Sequence, residues 1–102
     1  STYYILISLV DPLHGYGIIQ KVRKLSRERI VLAPGTLYGV LQNLMKHQLI
    51  SLVDEEHEGR HKKIYQITPQ GKMLARFEIM RFQEMTQHGK IFLKRVKRDA
   101  AE

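Results

Sequence analysis

The stretch A-P-G-T-L-Y-G-V-L-Q-N-L-M-K-H-Q-L, Ala33 to Leu49, restricts the fold more than any other part of the chain. Leu37, Val40, Leu41, Leu44 and Met45 recur at spacings of three and four, which gathers them on one side of a short helix and obliges other elements to cover that side. Pro34 suits the first turn, where a missing N–H costs nothing. The opposite face carries Thr36, Tyr38, Gly39, Gln42, Asn43 and Lys46: hydroxyls, amides and a cation around a residue with no side chain. Such groups hydrogen-bond base edges and phosphates in a DNA major groove, although for this segment alone a solvated helix face is at least as good an explanation.

The flanking segments supply the cover. Tyr3 to Val10, almost wholly apolar, is read as a core helix rather than a buried strand, and Asp11-Pro12 ends it. His14-Gly15-Tyr16-Gly17 is a turn into a second helix, Tyr16 to about Ser26, with Tyr16, Ile19, Val22 and Leu25 expected on its buried side and Lys21, Arg23 and Lys24 outside. Gly15-Tyr16-Gly17 opens like a dinucleotide fingerprint, but no third glycine and no strand-helix-strand unit follow. His14 stands near Asp11 without any nucleophile motif, so a backbone hydrogen bond at the turn is its expected role.

Ile30-Val31-Leu32 is a β-branched patch expected to form a short edge strand. Leu49 to Val53 and Lys63 to Thr68 alternate as strands, with a hairpin tip between them. The tip is acidic over Asp54-Glu55-Glu56-His57-Glu58, turns at Gly59 and is basic over Arg60-His61-Lys62-Lys63. Charge of both signs can serve solubility and cross-strand pairing; a run of cationic or ionisable groups beside a glycine favours contact with phosphate. Thr68 and Pro69 mark the next helix start. From Lys72 to His88 the apolar residues Met73, Leu74, Phe77, Ile79, Met80, Phe82 and Met85 occupy more than one face, which calls for two partners: the body of the same chain and the same helix of a second subunit. Gly89 is expected to break this helix, leaving Lys90 to Glu102 as a basic tail with Ile91, Phe92 and Val96 as docking residues.

Charge narrows the class of partner. Seventeen Lys and Arg against ten Asp and Glu leave +7 on 102 residues, with a sequence pI near 9.9, a balance that favours polyanions and nucleic acid first among them. A membrane anchor would show Trp or Phe opposite a Lys-rich face, and the chain has no Trp; nor does any apolar run reach the ~18 residues that span a bilayer. Zero cysteines exclude disulfides, Cys-ligated zinc and a thiol nucleophile, and suit a cytoplasmic location. No signal-peptide pattern opens the chain; Ser1 abuts an apolar segment, so a few further N-terminal residues are expected to extend the first helix. Paired carboxylates, a P-loop and a GxSxG elbow are all missing, and His57 and His61 fall on a hairpin rather than at helical ligand spacing, so neither enzyme nor metal cofactor is expected.

Helix, helix, short strand, polar-faced helix, basic hairpin and flanking helix is the layout of a winged helix-turn-helix, an α+β, mostly α fold. The motifs L-H-G-Y-G at Leu13 to Gly17, P-G-T-L-Y at Pro34 to Tyr38, L-x-x-L followed by H-Q-L-I between Leu41 and Ile50, and Y-Q-I-T-P-Q-G at Tyr65 to Gly71 together resemble the PadR family of bacterial transcriptional regulators, in its shorter subtype. The resemblance implies a homodimeric repressor on a palindromic double-stranded DNA promoter site. It places Thr36, Tyr38 and Gly39 at the start of the recognition helix, Tyr16 near the DNA backbone and Arg60, His61, Lys62 and Lys63 on the wing; the reading of the polar helix face adds Gln42, Asn43 and Lys46 as DNA contacts. Residues 1–68 then form the DNA-binding domain and 69–102 the dimerisation region, with Tyr3, Tyr4, Phe77, Met80, Arg81, Phe82 and Met85 as dimer contacts. Some relatives bind planar inducers through an aromatic stack that includes tryptophan; here Phe77, Phe82 and Phe92 are either a pocket lining or plain core. Two departures stand out: Gly39 replaces a common proline, and His47-Gln48 replaces an acidic residue and glycine before Leu49. The competing reading is a basic protein-interaction module without specific DNA binding.

Overall fold

The computed structural model describes residues 2–101, and the side chains of all of these except residues 54–57, His61 and Ala101. Four helices and a small sheet follow in the order α1 (Thr2–Ser8), β1 (Leu13–His14), α2 (Gly15–Leu25), α3 (Pro34–Lys46), β2 (Ile50–His57), β3 (Arg60–Ile67) and α4 (Pro69–Ala101). The three strands are antiparallel in the order β1-β3-β2. This is a mostly helical α+β winged helix-turn-helix.

The core is where the apolar stripes meet. Ile5, Leu6 and Leu9 from the first segment, Ile18 and Val22 from α2, Leu37, Leu41 and Leu44 from α3, and Ile50, Tyr65 and Ile67 from the hairpin are all buried in one cluster. Lys21 extends from α2 to close the end of α1, its Nζ donating to the Ser8 carbonyl at 3.0 Å and to Asp11 Oδ2 at 3.1 Å, so it is not simply an outward-facing cation.

The buried side of α2 agrees with the expected one at Val22, which is buried, and at Ile19, which packs on the core, but departs from it at both ends. Gly15, Ile18 and Val22 are buried, while Tyr16 and Leu25 are 66% and 46% exposed. A repeat of strictly three drifts around a helix of 3.6 residues per turn, so Tyr16 and Leu25 leave the face that Ile18 and Val22 bury. Nor does Ile30-Val31-Leu32 form a strand: Leu32 is buried and Ile30 packs on the core from a loop, while the third strand is Leu13–His14, paired with Tyr65 and Ile64. The hairpin is longer than its charge pattern suggested, because β2 and β3 run to His57 and Arg60 and leave Glu58-Gly59 as the turn, at φ values of 53° and 76°.

The end of α3 explains its unusual sequence. Leu49 N–H donates to the Leu44 carbonyl at 2.9 Å and Gln48 N–H to that of Met45 at 3.0 Å, a Schellman closure that puts Gln48 at φ 59°. Glycine adopts that conformation without the Cβ clash. Replacing Gln48 with Gly is therefore expected to stabilise the fold by about 1 kcal/mol in urea unfolding; an equal or lower stability would show that the glutamine side chain contributes more than its backbone costs.

Thr68 caps α4 as its position suggested, its Oγ1 accepting from Gly71 N–H at 3.0 Å and donating to the Gln48 carbonyl at 2.8 Å. Gly89 does not break α4. The helix continues to Ala101, 33 residues and about 50 Å, and absorbs the expected tail. A single helical glycine costs only about 1 kcal/mol against alanine, too little to stop a helix flanked by good helix formers.

Candidate nucleic-acid interface

Helix α3 presents one side to the core and the other to solvent. Thr36, Tyr38, Gly39, Gln42, Asn43 and Lys46 are all exposed, and a Cβ on Gly39 would meet nothing within 4 Å. Ala33 gives the helix no side-chain cap, and its first turn holds no acidic residue, so the positive end of the helix is uncompensated there.

The second half of the interface is built around α2. His14 Nδ1 accepts from Gly17 N–H at 3.1 Å and caps the helix, the backbone role expected for that histidine. Gly15 allows Tyr38 to lie across the helix start: a Cβ there would sit 3.0 Å from the Tyr38 hydroxyl. Tyr38 is half-exposed, and beside it Tyr16, Lys62, Lys63, His14, Gly15 and Tyr65 line one open cleft of about 450 Å³. The fold thus unites residues from α2, α3 and β3 that are far apart in sequence. Tyr65 was not singled out for function from the sequence; its alternation with Ile67 reads only as core.

Other candidates lie elsewhere. Thr36, Gly39, Gln42, Asn43 and Lys46 share the exposed side of α3 without lining the cleft, and Arg60 stands exposed at the hairpin turn. The side chain of His61 is outside the described residues, as is that of His57, so the pair has no described geometry. The strand register sets Asp54 opposite Lys63 and Glu55 opposite Lys62, so carboxylate and cation positions alternate across the wing while both lysines reach the cleft. Among the described residues no group of His, Asp and Glu could hold a metal ion, and no helix is long and apolar enough to cross a membrane.

Residues 5–76 match the transcriptional regulator PadR-like family. The chain belongs to this family. It is a family of transcriptional regulators rather than of enzymes. A PadR family transcription regulator from Clostridium difficile is similar over 91% of this chain and 99% of its own, at 26% identity and a TM-score of 0.76. The Bacillus subtilis PadR, solved in complex with operator DNA, shares the fold over 76% of this chain and 45% of its own, with 22% identity and a TM-score of 0.67. An uncharacterized 37.1 kDa protein in transposon TN4556 of Streptomyces fradiae is 39% identical over 75 residues, which are 72% of this chain and 20% of that protein. The match therefore spans about a fifth of the length of that curated relative. The PadR-like match includes the cleft and α3 and ends within α4.

The expected dimer contacts divide into two sets within one chain. Tyr3 and Phe82 meet edge to face at 5.0 Å, Tyr3 and Tyr4 at 5.9 Å, and Arg81 lies 5.6 Å from the Phe82 centroid while bonding Glu78 at 2.6 Å. Phe77, Met80 and Met85 are 62%, 63% and 52% exposed. Phe77, Phe82 and Phe92 do not converge within the chain: Phe82 lines a groove with Tyr3, Ile79 and Thr86, Phe77 lines another with His47 and Leu49, and Phe92 lines neither.

Proposed function

We propose that this protein is a sequence-specific double-stranded DNA-binding transcriptional regulator, a repressor acting as a homodimer on a palindromic promoter site in the bacterial cytoplasm. The observation that carries the reading is the single surface where the polar face of α3 adjoins a cleft lined by Tyr16, Tyr38, Lys62 and Lys63. Side chains on α3 would read base edges, and the cleft and wing would hold the backbone. The fold shared with a PadR solved on operator DNA supports this reading. Residues 1–68 act as the DNA-binding domain, and 69–102 pair two copies through the faces of α4 that the protomer leaves bare. A planar inducer would sit in the groove beside Tyr3 and Phe82, where the two copies meet.

The test is a titration of the DNA upstream of the protein's own gene against scrambled DNA of equal length at several salt concentrations. A preference of about a thousandfold, falling steeply with salt, is the expected result. Equal, weak and salt-sensitive binding to both would leave a basic interaction module whose partner is an acidic protein. Replacing Lys62 and Lys63 together with alanine is expected to weaken binding to all sequences and to lower the salt slope by about 2. Parental affinity and slope in that variant would remove the wing from the interface.

A further inference from the structure

The DNA reading leaves Tyr65 without a role. It sits on β3 opposite Leu13 of β1 and Leu52 of β2 and is only 3% exposed, yet its hydroxyl makes no hydrogen bond among the described residues. A tyrosine so deeply placed ordinarily finds a partner for its O–H. Its oxygen is not sealed in, since no fully enclosed side-chain oxygen among the described residues is orphaned, and the residue opens onto the cleft shared by Tyr16, Tyr38, Lys62 and Lys63. Burial, and then the neighbouring Tyr38, push its pKa above the ordinary phenol value. It therefore keeps its proton at neutral pH and is available as a donor.

Three features of the cleft select the acceptor. The Tyr65 hydroxyl has no partner among the described residues, the lysines contribute positive charge, and the first turn of α2, an 11-residue helix with no acidic residue at its start, contributes the positive end of the helix dipole. An anion with several outward oxygens satisfies all three at once. We propose that the cleft is a seat for one phosphodiester group of the DNA backbone, with the Tyr65 hydroxyl donating to a non-bridging oxygen from the floor while Tyr38, Lys62 and Lys63 surround it. The assignment rests on the DNA-binding reading and adds to it a buried anchor. Such an anchor fixes how deeply the domain sits on the duplex and conveys no sequence information, so its loss weakens every site alike.

Tyr65→Phe removes the oxygen and keeps the ring, so the core is preserved and the melting temperature should remain within a degree or two of the parent. The expected result is a loss of about tenfold in affinity for operator and scrambled DNA alike. A scan of operator duplexes carrying single methylphosphonate substitutions, which neutralise one phosphate each, should then find one position per half-site that weakens the parent but not Tyr65→Phe. If the parent binds DNA and Tyr65→Phe binds equally well, the phosphate seat is overturned while the regulator reading stands. If the parent binds no DNA at low salt, both fail. If inorganic phosphate competes with DNA beyond chloride of equal ionic strength in the parent only, and no methylphosphonate position is silent in Tyr65→Phe, the cleft takes free phosphate and the assignment to the DNA backbone is overturned.

Discussion

Gly71→Ala is expected to destabilise the fold by about 3 kcal/mol or more, lowering the melting temperature by roughly 10 to 20 °C. Gly71 is buried in the first turn of α4, and a methyl group there would fall against the Leu49 carbonyl oxygen and 2.7 Å from Ile67 Cγ1. Neither neighbour can withdraw freely. The Leu49 carbonyl accepts from Thr68 N–H at 3.1 Å, and Gly71 N–H is itself bonded to Thr68 Oγ1, which donates to the Gln48 carbonyl. Moving the turn to admit a methyl would break bonds that join α3, β2 and α4, whereas keeping it would enforce an overlap with backbone. Thermal and urea unfolding at one protein concentration measure the effect, because pairing of copies would otherwise shift the midpoint. Gly39→Ala is the control. No atom lies within 4 Å of its added methyl, so a gain of up to about 1 kcal/mol is expected from helix propensity alone. A Gly71→Ala protein as stable as its parent would mean that α4 does not start against Leu49.

The elements that the sequence made legible are those whose signals are local. Leu37, Leu41 and Leu44 fall on the buried side of α3 as their spacing requires, and Thr68-Pro69 starts α4 because a cap and a fixed φ act within one turn. Strand β1 is different. Leu13 and His14 are extended because Tyr65 and Ile64, some fifty positions later, pair with them, and no local preference encodes that meeting. The acidic limb of the hairpin resembled a tip because charged residues usually mark loops, but the register sets it opposite the basic limb and so keeps it in the ladder. On α2 the strict spacing of three from Tyr16 to Leu25 outran the 3.6-residue turn, so its two ends fell outside the buried face.

The candidate interface was legible to the same degree. The outward face of α3 could be read because its polar residues interrupt an otherwise apolar period, and the lysines of the wing because charge clusters beside a turn. Tyr65 could not. In the run Lys63 to Ile67 it occupies a core position by alternation, and only the fold reveals that its ring packs inward while its oxygen opens beside Tyr38. The detectable signal would have been its chemistry: a core strand position filled by tyrosine rather than phenylalanine raises the question of what the hydroxyl serves.

Met85→Glu combined with Phe92→Glu is expected to convert the proposed homodimer into monomers and to reduce affinity for a palindromic site by roughly a thousandfold, while a single half-site is bound as before. Phe82, Met85, Gly89, Phe92 and Val96 follow one another at alternating spacings of three and four, the period of a helix seam. The protomer covers only the near end of that seam, where Phe82 meets Tyr3; Met85, Phe92 and Val96 are 52%, 65% and 46% exposed, and from Gln83 to Ala100 every side chain position but Gly89 is exposed. That bare part is about 27 Å of helix whose apolar seam the chain leaves uncovered, and helices in proteins draw most of their stability from packing such a face. Gly89 would let a second helix approach closely, since a Cβ there meets nothing within the protomer. Because neither replaced side chain is buried in the protomer, the body should keep its fold, and circular dichroism with urea unfolding of the monomeric variant can verify this. A carboxylate placed in an apolar seam has no partner to offset its desolvation, and each dimer would hold four of them. Sedimentation equilibrium reads the assembly, and titration of whole-site and half-site duplexes reads its consequence for DNA. If the double variant sediments as a dimer and binds the whole site with parental affinity, the pairing of α4 along this seam is wrong, and the exposed Phe77 and Met80 face becomes the next surface to test for a second copy.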